Sequence, residues 1–132
     1  WVVLTSRSAA QGRAAADRLQ SQGLAVGYHP LDVTDPASVA ALADTLRREG
    51  RCIDALVNNA GVALEGFDAE VVRRTLAVNY FGAIDTTDQL LPLLAPHGRI
   101  VMVSSAMGQT DGLPPSLRDQ FLDPVLTPML LN

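Results

Sequence analysis

The chain has 132 residues, of which 48% are hydrophobic and 18% charged, and this composition predicts one soluble globular domain. The formal net charge of −4 argues against a nucleic-acid partner, and the apolar runs are too short for a membrane span. The only cysteine, Cys52, rules out an internal disulfide and fits a reducing compartment, so we expect a cytoplasmic protein.

Short apolar runs alternate with longer stretches of helical spacing along the first hundred residues. Strands are predicted at residues 1–4, 24–28, 55–57 and 100–103. The run at 1–4 begins without an initiator methionine or a signal-peptide pattern, so we interpret it as an interrupted strand. Alternating strands and helices are typical of a parallel sheet covered by helices, and the predicted fold class is α/β.

The first two predicted helices have recognisable ends. An alanine-rich helix is expected at residues 11–22, and Gly23 is placed to end it in the left-handed conformation. The second helix can be capped at its start by Thr34 or Asp35, and Gly50 ends it. Its apolar residues recur at helical spacing, so one face should be buried.

A third helix is predicted over residues 68–91. One stripe of this helix carries Val72, Leu76, Asn79 and Ala83 and should face the core, so the polar side chain of Asn79 needs specific partners there. After residue 109 four prolines break any long element, and we expect only short helices near 116–121 and 125–131. We interpret 1–132 as a single domain with an insertion at about 109–132.

Polar residues follow the predicted strands, where doubly wound folds place their ligands. Asp32 alone would most often be a turn former, and an isolated pair such as Ser104-Ser105 would most often cap a strand end. The segment Asn-Asn-Ala-Gly at 58–61 is more specific, because its amides can bond a ligand and its small residues allow a flat ring to approach.

Taken together, these motifs resemble the short-chain dehydrogenase/reductase family in order and separation. The matching segments are Thr5-Ser6-Arg7, Leu31-Asp32-Val33, Leu56-Val57-Asn58-Asn59-Ala60-Gly61, Val78-Asn79-Tyr80 and Val103-Ser104-Ser105. Within the family the chain is most similar to the carbonyl reductases, and the resemblance covers essentially the whole chain. It implies a Rossmann-like doubly wound parallel sheet.

The resemblance also implies a role for each matching residue. Asp32 would hydrogen-bond the adenine, Val33 would line the adenine pocket, and Asn59, Ala60 and Gly61 would pack beside the cofactor. Ser105 would bond the substrate carbonyl, and the main chain of Asn79, in a locally distorted helix, would hold a water of the proton relay.

Arg7 is the expected coenzyme selector. An NAD-specific relative would place an aspartate at the strand end to bond the ribose 2′-hydroxyl, whereas this chain has Ser6 followed by Arg7. A guanidinium can pair with a 2′-phosphate, although an arginine in a loop is often only solvated. We therefore expect NADP(H) as the cofactor.

Two family motifs are missing from these residues. Members begin with a strand and a glycine-rich turn, T-G-x-x-x-G-x-G, that holds the pyrophosphate, and they carry the catalytic pair Y-x-x-x-K. The only tyrosines here are Tyr28 and Tyr80, and there is no lysine. The resemblance implies that the chain starts at the second strand, so we expect a fragment that does not turn over alone.

The hypothesis is therefore a piece of an NADP(H)-dependent oxidoreductase that reduces ketone, aldehyde or quinone carbonyls. The alternative is a non-catalytic nucleotide-sensing or scaffold protein that retains the fold without the catalytic pair. Without the first strand we expect either two half-sheets or direct pairing of 1–4 with 55–57, with exposed apolar surface in both cases. Expected partners are a small carbonyl substrate, no nucleic acid and no membrane; the oligomeric state stays open.

Overall fold

The structure is a computed structural model that describes residues 1–66 and 68–123. Its described residues fall in two compact units that divide between Met102 and Val103. The first unit contains the strands described below, together with the helices that lie between the first and the last of these strands along the chain. The predicted insertion at about 109–132 begins inside the second unit and stays a prediction.

The described residues contain four strands, and each overlaps a predicted one. They are β1 (Val2–Ser6), β2 (Val26–Pro30), β3 (Ile53–Asn58) and β4 (Leu94–Met102). β4 is longer than expected because a register shift absorbs extra residues: Ile53 pairs with Leu94, whereas Ala55 pairs with Arg99. His97, inside this irregularity, has a positive φ of 67°.

The strands form two separate parallel pairs, β1 with β2 and β3 with β4. Of the two arrangements expected from the sequence, the structure has the two half-sheets and not direct pairing of β1 with β3. Alternation of parallel strands with helices confirms the α/β, Rossmann-like class.

Helices α1 (Ala9–Gln20) and α2 (Pro36–Arg48) follow the first two strands. Ser8 caps α1 and Asp35 caps α2, where its side chain accepts a hydrogen bond from the amide of Ala37 at 3.0 Å. Gly23 follows α1 with a φ of +82°, the left-handed conformation that the sequence predicted, and Gly50 follows α2 with a φ of +63°.

The predicted third helix is divided into three segments. These are α3 (Ala69–Leu76), a π-helical turn (Ala77–Phe81) and α4 (Gly82–Leu90). The amide of Gly82 donates to the carbonyl of Ala77, five residues earlier, so the turn contains one residue more than an α-helical turn.

Burial within this divided helix is confined to α4. Gly82, Thr86 and Leu90 are the buried residues of α4, whereas Val72 and Leu76 of α3 are 39% and 36% exposed. The expectation that Val72 and Leu76 face the core is therefore wrong. The extra residue of the π turn changes the rotation of α4 relative to α3 compared with a continuous α-helix.

The apolar core lies beneath α2. Its buried members are Leu31, Val39, Leu42, Ala43, Leu46 and Leu90. Val3 of β1 and both Ile53 and Leu56 of β3 pack against this cluster. One helical layer therefore covers both strand pairs and joins them through side-chain packing.

Helix α1 covers the opposite face of β1 and β2. Tyr28 in β2 lies against Gly12 of α1, whereas the next residue, His29, approaches Thr45 of α2 with 3.4 Å between Nε2 and Oγ1. Successive strand residues point to opposite faces, so the two helices lie on opposite sides of this strand pair.

The face of β3 and β4 away from the core carries exposed apolar side chains. Val57 and its partner Val101 are 54% and 43% exposed, and Val2 of β1 is 59% exposed. Exposed apolar strand surface was expected from the sequence. Among the described helices, none combines the length and the apolar character that a membrane crossing requires.

The second unit begins at Val103 and contains two 3₁₀ turns before helix α5 (Pro115–Phe121). Arg118 of α5 forms an ion pair with Asp111 at 3.3 Å. Helix α5 matches the short helix predicted near 116–121. The other short helix, predicted near 125–131, lies outside the described residues.

Candidate functional site

The ends of β1 and β2 and the segment after β3 meet at one cavity of about 200 Å³. Its lining residues are Thr5, Ser6, Arg7, Leu31, Asp32, Val33, Ala60, Gly61, Val62 and Val78. Parallel strands bring their carboxyl ends to one edge, so residues far apart in sequence become neighbours there. Five of the predicted cofactor residues, namely Arg7, Asp32, Val33, Ala60 and Gly61, lie together in this cavity.

Asp32 is held in a turn by its neighbours. Its Oδ1 accepts hydrogen bonds from the amide of Thr34 at 2.9 Å and from the hydroxyl of Thr34 at 2.7 Å. Its own amide donates to Oγ of Ser38 at 2.9 Å. Both hydrogen bonds from Thr34 are accepted by Oδ1, so they orient the carboxylate and do not involve Oδ2.

The hydroxyl and amide of Thr34 hold the pKa of Asp32 below its ordinary value of 3.8. Partial burial acts in the opposite direction, and the positive charge of Arg7 adds to the lowering. Asp32 is therefore an ionised group that only accepts hydrogen bonds near neutral pH.

Arg7 follows the last residue of β1 and its side chain is exposed. Within residues 1–66 and 68–123, the ion pairs closer than 4.0 Å involve other arginines, so Arg7 has no carboxylate partner at that distance. The residue before it, Ser6, carries no charge. This strand end therefore presents a guanidinium and no competing acid.

The two asparagines after β3 differ in their surroundings. Asn58 is the last residue of β3, and its Nδ2 donates to Oγ1 of Thr87 at 2.9 Å and to the sulfur of Met102 at 3.1 Å. It therefore ties β3 to α4 and β4. Asn59 is exposed and does not line the cavity, so its role beside the cofactor stays a prediction.

Asn79 lies in the π turn and holds the chain just beyond Gly61. Its Oδ1 accepts from the amide of Val62 at 2.8 Å, and its Nδ2 donates to the carbonyl of Val62 at 2.9 Å. The expectation of specific partners is confirmed, but the expectation that Asn79 points to the core is wrong, because the residue is exposed. The helix is locally distorted at Asn79, as the resemblance implied.

Ser105 belongs to the second unit, not to the unit that contains the cavity. Its carbonyl accepts a hydrogen bond from the amide of Gly108 at 3.0 Å. The predicted strand end at Val103 is one residue late, since β4 ends at Met102. The assignment of Ser105 to the substrate carbonyl stays a prediction.

Several contributors were missed in the sequence. Thr34 and Ser38 orient Asp32, and the spacing Asp-x-Thr, typical of an Asx turn, could have indicated Thr34. Val62 and Val78 line the cavity but carry no chemical signal in the sequence. Among the described residues, no group of three or more His, Cys, Asp or Glu side chains could hold a metal ion.

The fold and the site define an α/β protein with a ligand cavity at the carboxyl ends of parallel strands. A family model described as short chain dehydrogenase matches residues 1–114. The chain therefore belongs to the short-chain dehydrogenase family.

Curated relatives are similar over most of this chain. Carbonyl reductase (NADPH) 3 of Mus musculus is 46% identical over 114 residues, which cover 81% of this chain and 40% of the relative. Carbonyl reductase (NADPH) 1 of Homo sapiens is 42% identical over 135 residues, covering 96% and 48% respectively. The chain thus spans less than half the length of these relatives.

Solved structures show the same fold. A double mutant of a short-chain dehydrogenase/reductase from Serratia marcescens has a TM-score of 0.69 and 26% identity over 79% of this chain and 44% of that one. A gluconate 5-dehydrogenase from Burkholderia cenocepacia, solved with NADP and tartrate, has a TM-score of 0.60 and 26% identity over 68% and 37%.

Proposed function

We propose that this chain contributes the coenzyme site of an NADP(H)-dependent oxidoreductase that reduces ketone, aldehyde or quinone carbonyls by hydride transfer. The observation that carries the proposal is the meeting of Arg7, Asp32 and Gly61 at one cavity. The names of the carbonyl reductases to which the chain is similar support the choice of coenzyme and of reaction.

The cavity suits the adenosine end of the coenzyme. Its volume of about 200 Å³ is below the range of roughly 300–1,000 Å³ usual for whole small-molecule sites, so we assign it to one end of a dinucleotide. Asp32 supplies an ionised acceptor for the adenine amino group, and Arg7 supplies a cation for a 2′-phosphate. An acidic residue that would repel that phosphate is absent from the end of β1, where Ser6 stands.

The coenzyme supplies the hydride when it is bound. Ser105 would donate a hydrogen bond to the carbonyl oxygen of the substrate and so stabilise the negative charge on that oxygen during reduction. The main chain of Asn79, in the π turn, would hold a water of the proton relay. Neither of the two tyrosines has a lysine partner in this chain, so under the proposal the final acid is contributed by residues outside it.

The test uses the full open reading frame that contains this chain, with oxidation of NADPH or NADH measured in the presence of carbonyl substrates. Replacing Arg7 with Ala removes a charge-assisted contact, so we expect the KM for NADPH to rise by about 10- to 100-fold while the KM for NADH stays nearly constant. The matched control is Arg13→Ala, because Arg13 is an exposed arginine of α1 outside the cavity.

Two results would contradict the proposal. One is a preference of the parent protein for NADH, and the other is an equal effect of Arg7→Ala and Arg13→Ala on the NADPH constant. The alternative is a nucleotide-sensing or scaffold protein, which would not need the catalytic lysine that these residues lack. Tight binding of NADPH without carbonyl-dependent oxidation would favour that alternative.

A further inference from the structure

We infer that Tyr28 is a positioning residue for coenzyme selection, because its hydroxyl holds the main chain from which Arg7 extends. This inference rests on the proposed role of Arg7 and assigns to Tyr28 a function that the motifs of the family do not require. Tyr28 does not line the cavity and acts through Ser6.

The contact is a hydrogen bond between neighbouring strands. The hydroxyl of Tyr28 in β2 donates to the carbonyl of Ser6, the last residue of β1, at 3.2 Å, and the contact is partly buried. The same carbonyl accepts from the amide of Leu31 at 3.0 Å. A carbonyl oxygen has two lone pairs, so Tyr28 and Leu31 together complete its hydrogen bonding.

The neighbouring helix makes room for this ring. Tyr28 and Ser6 both lie against Gly12 of α1, and a Cβ atom at Gly12 would overlap Cε2 of Tyr28 and Oγ of Ser6 and come within 2.7 Å of Cζ. The absence of a side chain at Gly12 therefore lets the phenol reach the end of β1. The position of the hydroxyl is set by packing and does not depend on a surface rotamer.

Both flanks of Arg7 are held as a result. Ser6 is fixed through its carbonyl, and its hydroxyl donates to the carbonyl of Ser8 at 2.9 Å, which closes a turn around Arg7. Ser8 in turn caps α1, where its side chain accepts from the amide of Gln11. Arg7 thus stands at the tip of an anchored turn, and Tyr28 supplies the side-chain anchor from outside that turn, beside the backbone amide of Leu31.

Removing the hydroxyl alone tests this arrangement. In the full open reading frame, Tyr28→Phe leaves the ring packing intact, so we expect the KM for NADPH to rise by about 2- to 10-fold, the range of one neutral hydrogen bond. The KM for NADH and both kcat values should change by less than about twofold. A general loss of stability would not separate the two coenzymes in this way.

A double-mutant cycle shows whether Tyr28 acts through Arg7. In the Arg7→Ala background, Tyr28→Phe should no longer change the NADPH constant, because the group that it positions is gone. The matched control is Thr45→Val, which removes a hydroxyl that approaches the opposite face of β2 and should leave the KM for NADPH unchanged.

The inference is overturned if Tyr28→Phe raises the KM for both coenzymes alike, or if its effect persists undiminished without Arg7. If Arg7→Ala itself leaves the preference for NADPH unaltered, the proposed function fails and this inference fails with it. If Arg7→Ala abolishes the preference and Tyr28→Phe has no effect, only the role of Tyr28 is rejected.

Discussion

At the scale of single residues, Asp32 shows how a short turn orients a carboxylate and lowers its pKa. Thr34 gives two hydrogen bonds to one oxygen of the carboxylate, and these bonds are the main cause of its lowered pKa. A group whose pKa is lower in the folded state stabilises the fold above its unfolded pKa of about 3.9, and the stabilisation is lost as the pH falls through the folded pKa.

Replacing Thr34 with Val removes the hydroxyl and keeps the amide. We expect the pKa of Asp32 to rise towards its ordinary value, measured from the titration of its carboxyl carbon by NMR. The stability difference from the parent should be present at pH 7 and should shrink below about pH 4. Ser38→Ala is the control, because Ser38 bonds the amide of Asp32 and not its carboxylate. An unchanged pKa in Thr34→Val would contradict the assigned cause.

The sequence was sufficient to predict that Arg7, Asp32 and Gly61 lie together, because residues that follow parallel strands share one edge. The sequence was not sufficient to predict the hydrogen-bond partner of Asn79, which was expected in the core. The bonds of Asn79 to Val62 depend on the path of a loop with no regular pattern, and periodicity carries no information about such a path.

At the scale of elements, the π turn and Gly82 determine how α4 meets the cavity. A Cβ atom at Gly82 would lie 2.8 Å from Cγ2 of Val33 and 3.0 Å from the carbonyl oxygen of Val33. The helix can therefore approach the wall of the cavity closely only because residue 82 has no side chain. The sequence predicted one continuous helix here, because a single extra residue leaves no mark in a pattern of apolar positions.

Replacing Gly82 with Ala should force α4 and Val33 apart. We expect a loss of about 1–3 kcal/mol in the free energy of unfolding from overpacking, measured by urea denaturation of the full open reading frame. Gly112→Ala is the matched control, since a Cβ atom there meets nothing within 4 Å. Equal stability of the two variants would show that Val33 yields without strain.

At the scale of the whole molecule, the strand pairs leave apolar side chains in solvent. Val57 and Val101 lie side by side on the face of β3 and β4 away from the core. Exposed apolar strands and unpaired strand edges favour association between chains. The isolated 132-residue chain should therefore aggregate on heating and should not unfold reversibly.

A charge on this face should oppose the association. We expect Val57→Lys to raise the temperature at which light scattering by the purified chain begins. The matched control is Leu24→Lys, because Leu24 is 51% exposed, close to the 54% of Val57, but lies outside the strands. Reversible, cooperative unfolding of the unaltered chain, or an equal benefit from both variants, would refute this account.

The cavity takes its walls from both strand pairs, with residues 5–7 and 31–33 on one side and 60–62 on the other. Because packing beneath α2 joins these pairs, and no ladder of backbone hydrogen bonds does so among the described strands, the width between the walls depends on how well side chains fit. A ligand that contacts both walls holds the two strand pairs together. Its binding then raises the free energy of unfolding of the first unit, by an amount that grows with the logarithm of ligand concentration.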